Sequence, residues 1–235
     1  TCALPISSAA PAAPAAPTDV PFEMTAPKVL VQGDSGTGKT YSLGKLVDWA
    51  AAQNPPITVA VLFTENGLET LLGYWRTPPA GQQPRPVPTN LAWHEVREAA
   101  LDLGALTSAI KLVGDLSYES LTKVVDGDRG KRNPAHKILT ALADFPDDRT
   151  GRRLGNIGKW GSEMILAIDS LTELADAYVK TNIGTKPVMA QNEYQVAQIN
   201  LLNFIRYLCG PSQKFGLVMT AHLQKQVNEL TGSVR

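Results

Sequence analysis

The segment VQGDSGTGKTYSLGKL, residues 31–46, constrains the fold of this chain more than any other part of the sequence. Within it, Gly33 to Thr40 follow the spacing G-x-x-x-x-G-K-T, the Walker A pattern of a phosphate-binding loop. A short apolar run, Lys28 to Val31, precedes the loop, and residues at helical spacing follow it. A buried strand, a glycine-rich turn and a helix in this order predict an α/β fold that binds phosphate at the turn.

The residue types in the loop suit a nucleoside triphosphate with Mg²⁺. Glycines let successive backbone N–H groups curl round a phosphate, and Lys39 supplies a point charge to the outer phosphates. Thr40 opens the helix, whose N-terminal dipole favours an anion, and its hydroxyl is the usual Mg²⁺ ligand. The predicted nucleotide-binding residues are Gly33, Asp34, Ser35, Gly36, Thr37, Gly38, Lys39, Thr40 and Tyr41.

Composition narrows the class of protein further. A chain of 235 residues suffices for one large α/β domain, and 22 basic against 22 acidic residues exclude a globally basic surface. Any DNA contact must therefore be local. Cys2 and Cys209 lie far apart without C-x-x-C spacing, so no disulfide framework or zinc site is predicted. Because no apolar run reaches transmembrane length and no secretory signal pattern is present, we expect a cytoplasmic protein without a membrane partner.

The beginning of the sequence differs in composition from the remainder. Residues 1–27 are dominated by Ala, Pro and Ser, which cannot build a packed core, so we expect a flexible leader there. Met24 is a possible natural start. The folded domain is predicted over residues 28–235.

Three further apolar runs are typical of strands buried in a parallel sheet. Ile57 to Glu65 ends in a carboxylate, and Leu217 to Ala221 is followed by His222. Glu163 to Ser170 places Asp169 after five apolar residues; this carboxylate would orient Mg²⁺ through its water shell, with Ser170 supporting the same water network. The carboxyl ends of such strands are where these sheets bind ligands.

A long stretch, Thr77 to Trp160, separates the strand that ends at Glu65 from the strand that begins at Glu163. It is too long for a single crossover connection and therefore predicts an insertion. It contains a possible strand at residues 90–96, helical segments at 95–114 and 118–127, and a helix with Asn133 as N-cap before Pro134. Its basic cluster is interpreted as a solvated loop, with a phosphate or DNA contact as the alternative; the members are Arg149, Arg152, Arg153 and Lys159.

Helices are also predicted over residues 40–53, 66–76, 171–184 and 190–210. In the last of these, we expect one apolar stripe to pack into the core rather than against a partner. Its members are Val196, Ile199, Leu202, Phe204, Ile205 and Leu208. His94 and His136 lack a ligand-binding context and are interpreted as ordinary surface or core residues.

The order of these elements resembles the RecA-like core of recombinases, and more closely the small phage AAA-type ATPases of single-strand annealing or recombination. The resemblance runs over about residues 28–232 and rests on GDSGTGKTYSL, VLFTENGLETL, LAIDSLTELADA and GLVMTAHLQKQVNELTG. It implies a P-loop NTPase fold with a mostly parallel sheet flanked by helices. It also implies that Glu65 polarises the attacking water and that His222, with Gln224 close behind, senses the γ-phosphate. The alternative to a catalytic role is that Glu65 only begins the following helix, where the helix dipole stabilises its charge.

The same resemblance implies partners. DNA-binding loops follow the later strands in this family, and QKQVNELTGSVR would begin such a loop. The chain ends at Arg235, so the last strands of a RecA-like core are expected to be missing, and Lys225 is a candidate for a finger reaching a neighbouring subunit. The long insertion departs from the bacterial recombinase but suits the phage group.

Two functions therefore remain open. The first is a Mg²⁺-dependent ATPase that assembles as a ring or filament on single-stranded DNA during phage recombination or annealing, with ATP turnover that is slow and DNA-stimulated. The alternative is an AAA+ remodeller, a packaging motor or a DNA-independent regulatory ATPase. Against it, the metal strand ends in Asp-Ser rather than Asp-Glu, and no helical lid or nuclease-like acidic cluster is recognised.

Overall fold

A computed structural model describes residues 26–96, 111, 133–183 and 191–223. Its centre is one parallel sheet of five strands, numbered along the chain and arranged in the order β1-β5-β4-β2-β3. The strands are β1 (Lys28–Gly33), β2 (Thr58–Phe63), β3 (Leu91–Glu95), β4 (Met164–Asp169) and β5 (Gly216–His222).

Five α-helices accompany the sheet in the described parts of the chain. They are α1 (Lys39–Ala51), α2 (Leu68–Arg76), α3 (Pro134–Ala143), α4 (Leu171–Ile183) and α5 (Gln191–Cys209), with a short 3₁₀ helix at Ile157–Lys159. The predicted start of α3 is confirmed: Asn133 Oδ1 accepts a hydrogen bond from the backbone N–H of His136 at 2.8 Å, and Pro134 occupies the first turn. None of the described helices is long and apolar enough to cross a membrane.

Apolar side chains on both faces of the sheet explain why the strands read as continuous apolar runs. On one face, alternate residues of β2 pack with α1 and α2 around the fully buried Trp75. On the other face, Ala60 and Leu62 of the same strand join a cluster with α3, α4 and α5. The predicted fold class is confirmed: a mixed α/β fold with a five-stranded parallel sheet flanked by helices, in which the phosphate-loop pattern lies between β1 and α1.

The strand register brings the carboxyl ends of the strands to one edge. Gly33 at the end of β1 lies beside His222 of β5, and Phe63 at the end of β2 lies beside Asp169 of β4. β4 stands between β2 and β5, so its terminal carboxylate is flanked by the two other polar strand ends. This edge therefore gathers residues that are far apart in sequence.

The predicted inward stripe of α5 is wrong in part. Phe204 and Leu208 are buried as expected, but Val196, Ile199 and Leu202 are about half exposed, at 48, 56 and 49%. The buried face is instead completed by Ala197, with Leu201 partly buried. Both stripes have helical spacing, and only the packing of α5 against α4 and the sheet selects between them.

The predicted insertion contributes an edge strand, β3, which pairs with β2. Arg149, interpreted from sequence as part of a solvated basic loop, instead clamps the loop before β3: its guanidinium donates to the carbonyls of Pro88, Leu91 and Val87 and lies over the Trp93 ring. Its partners in that cluster, Arg152, Arg153 and Lys159, are exposed. The predicted helices at 95–114 and 118–127 lie outside the described residues, apart from Glu95, Val96 and Lys111; Glu95 belongs to β3.

Candidate functional site

The loop between β1 and α1 has the backbone that its glycines predict. Gly36 and Gly38 have φ values of 75° and 85°, in the left-handed region that other residues rarely adopt. At Gly33 a Cβ atom would lie 2.9 Å from Thr37 Oγ1, whose hydroxyl donates to the Asp34 carbonyl at 2.8 Å. Residues 34–38 are exposed, so an anion can approach this loop from solvent.

Lys39 is almost wholly buried beneath this loop, with 8% of its surface exposed. Its ammonium donates to the carbonyl oxygens of Gly33 and Asp34, each at 2.8 Å, and contacts Nδ1 of His222 at 3.3 Å. These three contacts match the three N–H groups of an ammonium. The charge is therefore held at the base of the loop, between β1 and the end of β5.

His222 joins Lys39 to Glu65. An ammonium can only donate, so Nδ1 of His222 accepts, and in the neutral ring the proton lies on Nε2. Nε2 lies 3.2 Å from Oε1 of Glu65 and 3.4 Å from Oε2, so the ring donates to that carboxylate. The backbone N–H of His222 donates to Thr172 Oγ1 at 2.9 Å, which fixes the end of β5 against α4.

Asp169 accepts one hydrogen bond on each carboxylate oxygen. Thr40 Oγ1 donates to Oδ2 at 2.7 Å, and Thr220 Oγ1 donates to Oδ1. Burial raises the pKa of Asp169, which is only 1% exposed; the two hydroxyl hydrogen bonds and His222 oppose that rise, and the nearby Glu65 adds to it. The two donors therefore stabilise a carboxylate that burial alone would disfavour.

The oxygen ligands at this point suit Mg²⁺. Mg²⁺ is usually held by one or two protein oxygens together with phosphate oxygens and water, rather than by a cage of side chains. Thr40 and Asp169 provide a hydroxyl and a carboxylate in mutual contact beside the loop. Within the described residues, no group of three or more His, Cys, Asp or Glu side chains forms an alternative metal site.

The ends of β2 and β4 are joined by Thr64 and Ser170. The Thr64 hydroxyl donates to the Ser170 carbonyl and accepts from the Ser170 N–H, both at 2.9 Å. The Ser170 side chain, predicted to support the water network of the metal, is fully buried and accepts from the N–H of Glu173 at 3.4 Å. It therefore caps α4.

The remaining predicted residues lie apart from this cluster of contacts. The Tyr41 ring packs edge to face against Tyr74, with centroids 4.8 Å apart, on the first turn of α1. His94 is paired with Asp148 at 3.0 Å, and His136 is exposed on α3. Gln224 and Lys225 lie outside the described residues.

Sequence reasoning placed Thr64 at the ligand-binding edge but missed three residues of the site: Gly67, Thr172 and Thr220. A Cβ atom at Gly67 would lie 2.7 Å from Asp169 Oδ2, so this glycine admits the carboxylate. Thr220 precedes His222 by two residues on β5, and the two-residue period of a strand puts both side chains on one face. That period was the available indication for Thr220, whereas the roles of Gly67 and Thr172 depend on tertiary contacts.

No protein-family model and no curated protein matches the chain. Among solved structures, it is similar to a prototypical ATPase from the type III secretion system of pathogenic bacteria, with 17% sequence identity and a TM-score of 0.41. The match covers 88% of this chain and 48% of that one, so this chain spans about half of the length of the secretion ATPase. The sheet and loop described above define the class of the fold: an α/β P-loop protein.

Proposed function

We propose that this protein binds ATP with Mg²⁺ at the Gly33–Thr40 loop and hydrolyses it. The observation that carries the proposal is the chain of contacts from Lys39 through His222 to Glu65. The lysine that the loop pattern assigns to the outer phosphates is thereby linked to a carboxylate able to act on water. A loop that only bound phosphate would have no need of such a base.

Each residue has a distinct task in this proposal. The loop N–H groups and Lys39 bind the phosphates, while Thr40 and Asp169 would hold the metal. Magnesium, when bound, would neutralise charge on the phosphate oxygens. Glu65, whose side chain is 30% exposed, orients a water molecule and accepts its proton on a carboxylate oxygen. His222 donates to that carboxylate through Nε2 and reports whether Lys39 has turned towards a phosphate.

The test compares two lysines of α1. Lys39→Ala should abolish ATP binding and hydrolysis, because it removes the buried ammonium at the loop, while the fold persists. Lys45→Ala, which changes an exposed lysine on the same helix, should leave both unchanged. Binding is measured by calorimetry, turnover by phosphate release and folding by circular dichroism. Retained ATP affinity in the Lys39 variant would refute the site.

We propose further that ATP turnover serves phage DNA recombination or annealing, with self-association into a ring or filament. The support is the resemblance of the four motifs quoted above, together with the polar end of β5, from which the chain leads into residues 224–235. The experiment is turnover with and without single-stranded DNA, with Lys39→Ala as the blank. Stimulation by single strands would support this function. Turnover indifferent to DNA would favour a remodeller, motor or regulatory ATPase.

A further inference from the structure

Thr220 lies on β5 beside the end of β4. The register that aligns Met219 with Ile168 continues by one residue to bring Thr220 next to Asp169. The Thr220 side chain is fully buried, and its hydroxyl donates to Asp169 Oδ1. No motif in the sequence assigns this residue a task.

The contact controls how the Asp169 carboxylate is oriented. The terminal torsion of an aspartate is broad, so a carboxylate with one partner can rotate. Here Oδ1 is held by Thr220 and Oδ2 by Thr40. The carboxylate plane is thereby fixed, with Oδ2 on the side of the phosphate loop. Without the Thr220 hydroxyl, Oδ1 would be a buried acceptor lacking a partner.

We propose that Thr220 is a positioning residue for the metal site: its hydroxyl fixes Asp169 so that Oδ2 faces Thr40 and the loop. The inference rests on the proposed function, because it assigns Thr220 to the Mg²⁺ that would accompany ATP. Thr220 acts through Asp169 and contacts neither nucleotide nor water in this assignment.

The position of Thr220 has a second consequence. His222 lies two residues further on the same strand and contacts both Lys39 and Glu65. A single strand therefore carries the residue that orients the metal-site carboxylate and the residue that joins the loop lysine to the base. A shift of the end of β5 would change both contacts together.

The test separates Mg²⁺-dependent binding from nucleotide binding itself. Thr220→Val keeps the shape of the side chain and removes the hydroxyl, whereas Thr220→Ser keeps the hydroxyl. ATP affinity is measured by calorimetry in excess Mg²⁺ and in EDTA, and Mg²⁺ is titrated at fixed ATP. Thr181→Val serves as the matched control, because its hydroxyl donates to Asn133, the N-cap of α3, and to Ala177 of α4, outside the site.

Thr220→Val should raise the Mg²⁺ concentration that gives half-maximal ATP binding by about tenfold or more. Loss of an outer-shell hydrogen-bond partner of a metal ligand typically has an effect of this size. The affinity of the Val protein for ATP in EDTA should equal that of the wild type, and the Ser and Thr181→Val proteins should behave as wild type. If the Val protein does not fold, Thr220→Ala and Thr220→Ser form a second pair that differs only in the hydroxyl.

The outcomes distinguish the two proposals. Wild-type protein that binds no ATP in either condition would overturn the proposed function and this inference together. Wild-type protein with Mg²⁺-dependent binding that the Val or Ala substitution leaves unchanged would overturn the role of Thr220 alone. An equal loss of affinity in Mg²⁺ and in EDTA would also overturn it, because that pattern indicates general damage to the loop.

Discussion

Nε2 of His222 lies 3.2 Å from Oε1 of Glu65, although 157 residues separate them in the chain. The contact spans three neighbouring strand ends, because β4 stands between β2 and β5 in the sheet. Asp169 ends the strand that stands between the strand leading to the base and the strand carrying the imidazole, and it therefore lies beside their contact. Parallel strands of matched register produce this arrangement at their carboxyl ends.

Glu65→Gln should bind ATP with Mg²⁺ as wild type does but hydrolyse it at least about 100-fold more slowly, the usual contribution of a positioned general base. The amide keeps the size of the side chain and an oxygen for His222, but it cannot accept a proton at neutral pH. Single-turnover phosphate release measures the effect. Glu69→Gln, which changes an exposed carboxylate on α2, is the control. Undiminished turnover in the Glu65 variant would place the base elsewhere.

His222→Ala should retain most of the ATP affinity, because the two carbonyl contacts of Lys39 persist, and should lower turnover by about tenfold or more, since Glu65 loses its donor. His136→Ala, at an exposed histidine of α3, should change neither quantity. In wild-type protein without nucleotide, ¹⁵N NMR of the neutral ring should place the proton on Nε2. A proton on Nδ1 would contradict the assigned contacts.

Gly67→Ala should destabilise the protein by about 1–3 kcal/mol, as overpacking of a filled site does. The new methyl group would lie 2.7 Å from Asp169 Oδ2 and 2.9 Å from the buried Phe63 ring. Because the carboxylate must move, Mg²⁺-dependent ATP affinity should fall as well. Urea unfolding and calorimetry give the two quantities.

The matched control for this substitution is Gly73→Ala within α2, the helix that Gly67 precedes. A Cβ atom there would meet only the Thr77 hydroxyl, at 3.4 Å. The change should stabilise the protein by about 0.4–1 kcal/mol, because alanine reduces the conformational entropy of the unfolded chain. Equal effects at the two glycines would show that Gly67 is not needed for the position of Asp169.

The main elements of the fold could be predicted because local patterns specify them. β2, β4 and β5 are buried on both faces and therefore appear as short apolar runs with polar ends. The loop was predictable from glycines whose positive φ values leave little choice of residue. The order of strands in the sheet was not available from these patterns, because it depends on how the crossovers pack.

The failures have specific physical causes. α5 carries two apolar stripes, one with Val196, Ile199 and Leu202 and the other with Phe204 and Leu208, and only tertiary packing decides which is buried. The contact of the Ser170 hydroxyl with the first turn of α4 was not predicted, because it depends on how the chain turns after β4. The sequence predicted single site residues at strand ends, whereas the hydroxyl partners that hold them depend on register between distant strands.

The last prediction concerns stability and pH at the Asp48 carboxylate, where Arg85 anchors the proline-rich loop to α1. Arg85 donates to both carboxylate oxygens, and Trp75 Nε1 donates to Oδ1 at 2.9 Å. Burial acts to raise the pKa of Asp48, but the hydrogen bonds from Arg85, Trp75 and Tyr74 outweigh it and hold the pKa below its ordinary value. A carboxyl with a lowered folded-state pKa stabilises the protein above its unfolded pKa, and this contribution is lost as pH falls through the folded value.

Asp48→Asn keeps an oxygen for Trp75 but removes the charge that pairs with Arg85. It should cost about 1 kcal/mol or less near pH 7, since the Arg85 side chain is half exposed. The difference from wild type should shrink as the pH falls below about 4, because the wild-type carboxylate then protonates. Asp144→Asn, at a more exposed pair with Arg153, should have no measurable effect. Urea unfolding of the three proteins at stepwise lower pH measures this, and a difference that stays constant with pH would contradict the ionic origin of the contact.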